Sequence, residues 1–175
     1  SGGVDAIAKY IGEKLAIPFE NITFDDLKND EVKNRLGQLT FITATDGNHG
    51  RGVAWAAREL GHQSIVYMPK GSSQQRLDAI RAEGADAHIL PLNYDDCVRE
   101  CAKLAETNGY IVIQDTAWDG YEDIPLWIMQ GYATIGLEIV EELPTPPTHI
   151  FLQAGVGSFA AAITAFFYEL YPENP

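Results

Sequence analysis

The strongest constraint on this chain is an alternation. Five short apolar runs rich in β-branched residues, at 39–44, 64–68, 87–90, 110–113 and 149–152, are separated mostly by stretches with helical spacing. Runs such as Phe41-Ile42-Thr43-Ala44 and Ile111-Val112-Ile113 are continuously apolar, as strands buried on both faces require. Helices are expected between the runs at about 48–60, 72–82, 94–107 and 124–142. The pattern predicts βαβ units and hence an α/β fold: an open parallel sheet in three layers, with helices on both faces. Gly61, Gly84 and Gly109 fall where three of these helices end and a positive φ is needed.

Two more helices are expected ahead of the first strand, at about 3–16 and 24–36, the second capped by Thr23 or Asp25. Pro144-Thr145-Pro146-Pro147 ends the long helix and reads as a linker. A final helix at about 157–170 is rich in Ala and Phe and is expected to be buried. There is no internal repeat and no low-complexity tract.

Composition excludes several classes. With 12 basic and 25 acidic residues the net charge is −13, which disfavours nucleic acid and anionic membrane surfaces as partners. No apolar run approaches the roughly 20 residues of a membrane span, so a soluble, cytoplasmic protein is expected. Cys97 and Cys101, one helical turn apart, lack a zinc-spaced partner and read as small buried hydrophobes. No metal is expected. His62, His88 and His149 lie near element boundaries, where packing or capping accounts for them; Glu138, Glu141 and Glu142 read as a solvated face.

Three loops carry groups that could do chemistry, each following a predicted strand. Ligands gather at that edge of an open α/β sheet. Thr45-Asp46-Gly47-Asn48-His49-Gly50 offers a carboxylate, an amide and an imidazole, although Asp46 or Asn48 could equally be a helix cap. In Gln153-Ala154-Gly155-Val156-Gly157-Ser158, backbone N–H groups and a helix N-terminus suit a phosphate. The third glycine of a dinucleotide fingerprint is missing, since Ala160 stands there, and no Walker lysine follows. Gln114-Asp115-Thr116-Ala117-Trp118-Asp119-Gly120-Tyr121 combines acids and aromatics; alone it reads as a solvated loop. Tyr94-Asp95-Asp96 opens a helix, with its acids placed to suit the dipole.

Asp46-Gly47-Asn48-His49-Gly50 resembles the Ser-x-Gly-Asn-His motif of fold-type II pyridoxal-phosphate enzymes, the tryptophan synthase β-like group. The longer stretches 45–57, 114–118, 127–132 and 152–157 look like the diaminopropionate ammonia-lyases within it, in which aspartate replaces the usual serine or threonine. The resemblance implies pyridoxal phosphate, with Asn48 at its phenolic oxygen and Gly155, Val156, Gly157 and Ser158 at its phosphate. It implies Asp46 and Asp115 as catalytic carboxylates, His49 and Tyr94 as substrate-binding residues, a small amino-acid substrate and a homodimer. Residues 1–143 would correspond to a small-domain-like unit, and 144–175 to the first strand, phosphate loop and helix of a second, larger domain.

Ser1-Gly2-Gly3 aligns with the end of the family's lysine-bearing stretch. The cofactor-binding lysine is therefore expected just before the first residue, and the chain alone is expected to be inactive. None of Lys9, Lys14, Lys28, Lys33, Lys70 and Lys103 stands in for it. A serine or threonine dehydratase, or a non-catalytic folded domain, are the alternatives.

Overall fold

The computed structural model describes residues 2–18 and 23–173. Four strands form one parallel sheet: β1 (Thr40–Ala44), β2 (Gln63–Met68), β3 (Asp86–Ile89) and β4 (Ile111–Val112), in the order β3-β2-β1-β4. Seven helices accompany them: α1 (Gly2–Leu15), α2 (Asp30–Leu36), α3 (Asn48–Glu59), α4 (Gln74–Ala82), α5 (Tyr94–Asn108), α6 (Asp123–Glu142) and α7 (Ser158–Leu170). The expected α/β architecture is therefore the observed one.

Side-chain alternation along β1 and β2 sorts the helices into two layers. Phe41 points into a core with α1, α3 and α6, whose buried members include Ile7, Ile11, Val53, Leu60 and Ile128. Val66 and Met68 extend that layer onto Leu77 and Ile80 of α4. Ile42 and Ala44 point the other way, onto Cys97, Cys101 and Ala105 of α5. The cysteines are fully buried, as expected, and burial pushes the Cys101 thiol up to about 12. Gly109, at φ 72°, closes α5 as its position suggests.

The start of α1 is locked against α6 by glycine contact. A Cβ on Gly131 would stand 2.5 Å from Asp5 Oδ2 and 2.7 Å from Gly2 Cα. A side chain at Gly2 would in turn strike the Ile128 carbonyl. The helix backbones therefore cross at a distance that only glycine permits.

Four expectations change. The run at 149–152 is not a strand: strand formation needs a hydrogen-bonding neighbour, and none of the described residues pairs with it. Phe151 is 91% exposed there. The helix expected at 24–36 is two elements, a 3₁₀ turn at Asp26–Lys28 and then α2. Neither Thr23 nor Asp25 caps α2; Asn29 does, accepting the Val32 N–H at 2.8 Å, while Thr23 pairs with Asp26. α7 is only half-buried, with Ala162, Ile163 and Phe167 inside and Tyr168 and Leu170 exposed.

Gly131→Ala should destabilise the protein by about 1–3 kcal/mol through overpacking. An unchanged urea midpoint would contradict the close crossing.

His62 gives a pH signature. It is buried, accepts the Leu39 N–H at Nδ1 (3.3 Å), and is held below its ordinary value by burial and then by the Lys33 charge. The unfolded ring takes up a proton more readily. Its stabilising contribution is thus complete above the unfolded value of 6.5 and declines as pH falls toward the lower folded value. Urea midpoints taken from about pH 7.5 to about 5.5 should fall more steeply for the wild type than for His62→Gln. Parallel curves would remove His62 from the account.

Candidate active site

The sheet changes winding direction between β1 and β4. From β1 the chain proceeds through α3 to β2 and β3, and α5 then carries it across the opposite face to β4. Ligands of open α/β sheets bind where such strands part, beyond their C-terminal ends.

The parting is built from side chains. The last ladder bond is Ile113 N–H to the Ile42 carbonyl, 2.9 Å. Continuing the parallel ladder would join Ala44 N–H to the Ile113 carbonyl. Instead Gln114 Oε1 accepts Ala44 N–H at 3.0 Å, and His49 Nε2 donates to the Ile113 carbonyl at 2.7 Å. Both backbone groups stay satisfied while the strands separate. Gln114 is 1% exposed, and its oxygen also accepts from Thr43 Oγ1 (3.1 Å). That fixes the amide, whose nitrogen then donates to Tyr94 Oη at 2.7 Å. Tyr121 Oη holds the Gln114 backbone N–H at 2.8 Å.

A cavity of about 670 Å³ opens over this parting. Its lining contains Asp46, Asn48, His49, Tyr94, Asp115 and the loop 153–158, so all of the candidate site residues meet at one place. Asp46 is exposed at the mouth, where Ser72 Oγ donates to its carboxylate (3.3 Å) and an Arg76 guanidinium N–H to its carbonyl (3.1 Å). Asp115 is half-buried and accepts from Ser158 Oγ (3.1 Å) and Tyr132 Oη (3.3 Å). Burial, then the Asp115 charge, pushes the Tyr94 phenol up to about 12 and raises Tyr132 as well. Both remain phenols, able to donate.

Asp46 and Asn48 are not the cap of α3. Gly47 occupies that position at φ 157°, and Thr45 Oγ1 accepts the N–H groups of Gly47 (3.0 Å) and Gly50 (3.1 Å). The cap position falls on the glycine between them, where the chain turns, and both Asp46 and Asn48 line the cavity.

The loop before α7 is open at its end toward the cavity. Gly157, the residue just ahead of the helix, has φ 96°, and no side chain among the described residues caps the helix. Gly155 and Gly157 have open space where a Cβ would be. Uncapped N–H groups, a positive dipole end and an unobstructed loop suit a doubly charged phosphate. The Ser158 hydroxyl, however, is turned to Asp115.

The model of the family described as "Pyridoxal-phosphate dependent enzyme" matches residues 22–175. The chain belongs to this family. It is 50% identical over 177 residues to the diaminopropionate ammonia-lyase of Salmonella typhimurium, covering 99% of this chain and 44% of that protein. It is 34% identical over 176 residues to the L-threonine ammonia-lyase of Geobacter sulfurreducens, covering 93% and 42%. The crystal structure of the Escherichia coli diaminopropionate ammonia-lyase in complex with D-serine superposes with a TM-score of 0.89 at 48% identity, over 99% of this chain and 44% of that one. The chain thus spans less than half the length of the family members it matches.

Arg76, Tyr132 and the amide of Gln114 went unassigned in the sequence. Gln114 and Tyr132 lie inside stretches quoted for the family likeness, whereas nothing local marks Arg76 on its helix. Among the described residues, no cluster of His, Cys, Asp and Glu could hold a metal, and no helix is long and apolar enough to cross a membrane.

Gln114→Leu should cost about 1–3 kcal/mol, because the Ala44 N–H is left buried and unpaired. Tyr94→Phe should cost less, since Gln114 keeps its backbone partner. Urea midpoints that rank the two in the reverse order would contradict the role of the amide.

Proposed function

We propose that the whole protein is a pyridoxal-phosphate-dependent lyase that eliminates ammonia from diaminopropionate, giving pyruvate and a second ammonia. The reading rests on the two carboxylates, Asp46 and Asp115, that share one cavity with an uncapped helix N-terminus. In this reading the N–H groups of Gly155, Val156, Gly157 and Ser158 hold the cofactor phosphate, and Asn48 serves the ring hydroxyl. When bound, the cofactor supplies an electron sink for the carbanion at the substrate Cα.

The chain's own residues do the rest. Asp46 takes the Cα proton from one enantiomer; a lysine of the whole protein serves the other. Asp115 holds the β-ammonium, a cation that a dehydratase acting on a hydroxyl has no need to bind. The likeness to an L-threonine ammonia-lyase keeps a dehydratase as the second reading, and these two acids weigh against it. Tyr94 and His49 flank the substrate. Of the imidazole nitrogens, Nε2 is committed to Ile113, and Nδ1 is buried without a partner. The wider reading includes a homodimer in the cytoplasm with no nucleic-acid or membrane partner. It also includes a small-domain-like unit over 1–143, followed at 144–175 by the beginning of a second domain.

In the full-length protein, Asp46→Asn keeps the shape and removes the proton acceptor. Turnover of one enantiomer should fall by about 100-fold or more, the scale of general-base catalysis, and that of the other less. Asp115→Asn should impair both, because both carry the β-ammonium. Ammonia release assayed on each enantiomer is the measurement. Equal losses in the Asp46 variant would recast Asp46 as a binding residue, and no release by the wild type from either enantiomer would reject the lyase.

A further inference from the structure

Asp115 is gripped from two helices, and both grips fall on the same oxygen. Tyr132 Oη reaches Oδ2 at 3.3 Å from the middle of α6, and Ser158 Oγ reaches it at 3.1 Å from the first residue of α7. Among the described residues, Oδ1 has only a long contact, 3.4 Å, to Gln114 Nε2. The Tyr132 ring is itself fixed edge-on to Phe159 of α7, with centroids 5.5 Å apart and planes at 83°. Two donors on one oxygen turn a carboxylate and hold it there. The other oxygen, with most of its lone-pair capacity unspent, is left to the cavity that Asp115 lines.

We infer that Tyr132 and Ser158 are positioning residues: they hold Asp115 with Oδ2 bound to the protein and Oδ1 presented to the second ammonium of a diamino-acid substrate. This rests on the lyase reading and adds to it what makes the site select an ammonium over a hydroxyl. It also joins two parts of the cavity. Ser158 begins the helix whose N-terminal N–H groups would hold the phosphate, so one residue would serve both the phosphate loop and the ammonium site. Tyr132 keeps its proton through the neutral range, because burial and the Asp115 charge both raise it, and so it donates throughout.

The test uses the full-length holoenzyme and two ligands of the same skeleton. Diaminopropionate carries the second ammonium, and serine has a hydroxyl in its place. In Tyr132→Phe the KM for diaminopropionate should rise about tenfold, while the inhibition constant of serine moves far less. Ser158→Ala should shift the same ratio in the same direction. The double variant should lose less than the product of the single losses, because the two donors share one oxygen. If Tyr132→Phe fails to fold, the ratio in Ser158→Ala decides alone. With an active wild type, equal weakening of both ligands, or no change in either, overturns the positioning role and leaves the lyase reading standing. A wild type inactive on diaminopropionate overturns the lyase reading, and this inference with it.

Discussion

The structure depends on how β1 and β4 come apart. A parallel sheet cannot simply open between two of its strands, because each freed N–H and carbonyl would be buried without a partner. Gln114 and His49 resolve this by exchange: the amide oxygen takes the Ala44 N–H, and the imidazole takes the Ile113 carbonyl. The crevice exists because both substitutions are made together. His49 comes from the first turn of α3, and Gln114 from the residue after the last ladder bond. The same residues that open the sheet therefore tie the loop after β1 to the loop after β4. This fixes the relative position of Asp46 and Asp115 more firmly than either loop could alone.

Local order was readable in the sequence wherever it depends on near neighbours. The four paired strands, the glycine at the end of α5 and the acidic opening of the same helix follow from apolar runs, positive φ and the dipole. What failed was non-local. The run at 149–152 has strand composition, but composition does not supply a neighbouring strand. Thr23 and Asp25 are good capping residues beside Asn29, which is another, and only the 3₁₀ turn between them decides which one caps α2. At the site, the meeting of Asp46, Asn48, His49 and Asp115 was legible because loops that follow parallel strands gather at one sheet edge. The Gln114 amide was not, because a glutamine before an aspartate reads as solvated loop until the strand it repairs is known.

The cavity divides its charge. At one wall α7 offers uncapped N–H groups, and Arg76 stands at the mouth; at the others are Asp46, Asp95 and Asp115. An anion and a cation would therefore find separate walls on this surface. The chain as a whole is strongly acidic, at −13, so the positive end of α7 is a local exception created by backbone geometry.

Proton inventory follows from the same arrangement. Tyr94 and Tyr132 flank Asp115, and each is raised by burial first and by that carboxylate second. Neither becomes an anion near neutrality, so neither adds a further negative charge beside the carboxylate. Each can supply a hydrogen-bond donor, and Tyr132 visibly does. Replacing a phenol by an acid would put like charges side by side; replacing it by a cation would neutralise the carboxylate. A neutral donor orients Asp115 and leaves its charge uncancelled, and both groups that hold Oδ2, the Tyr132 phenol and the Ser158 hydroxyl, are of that kind.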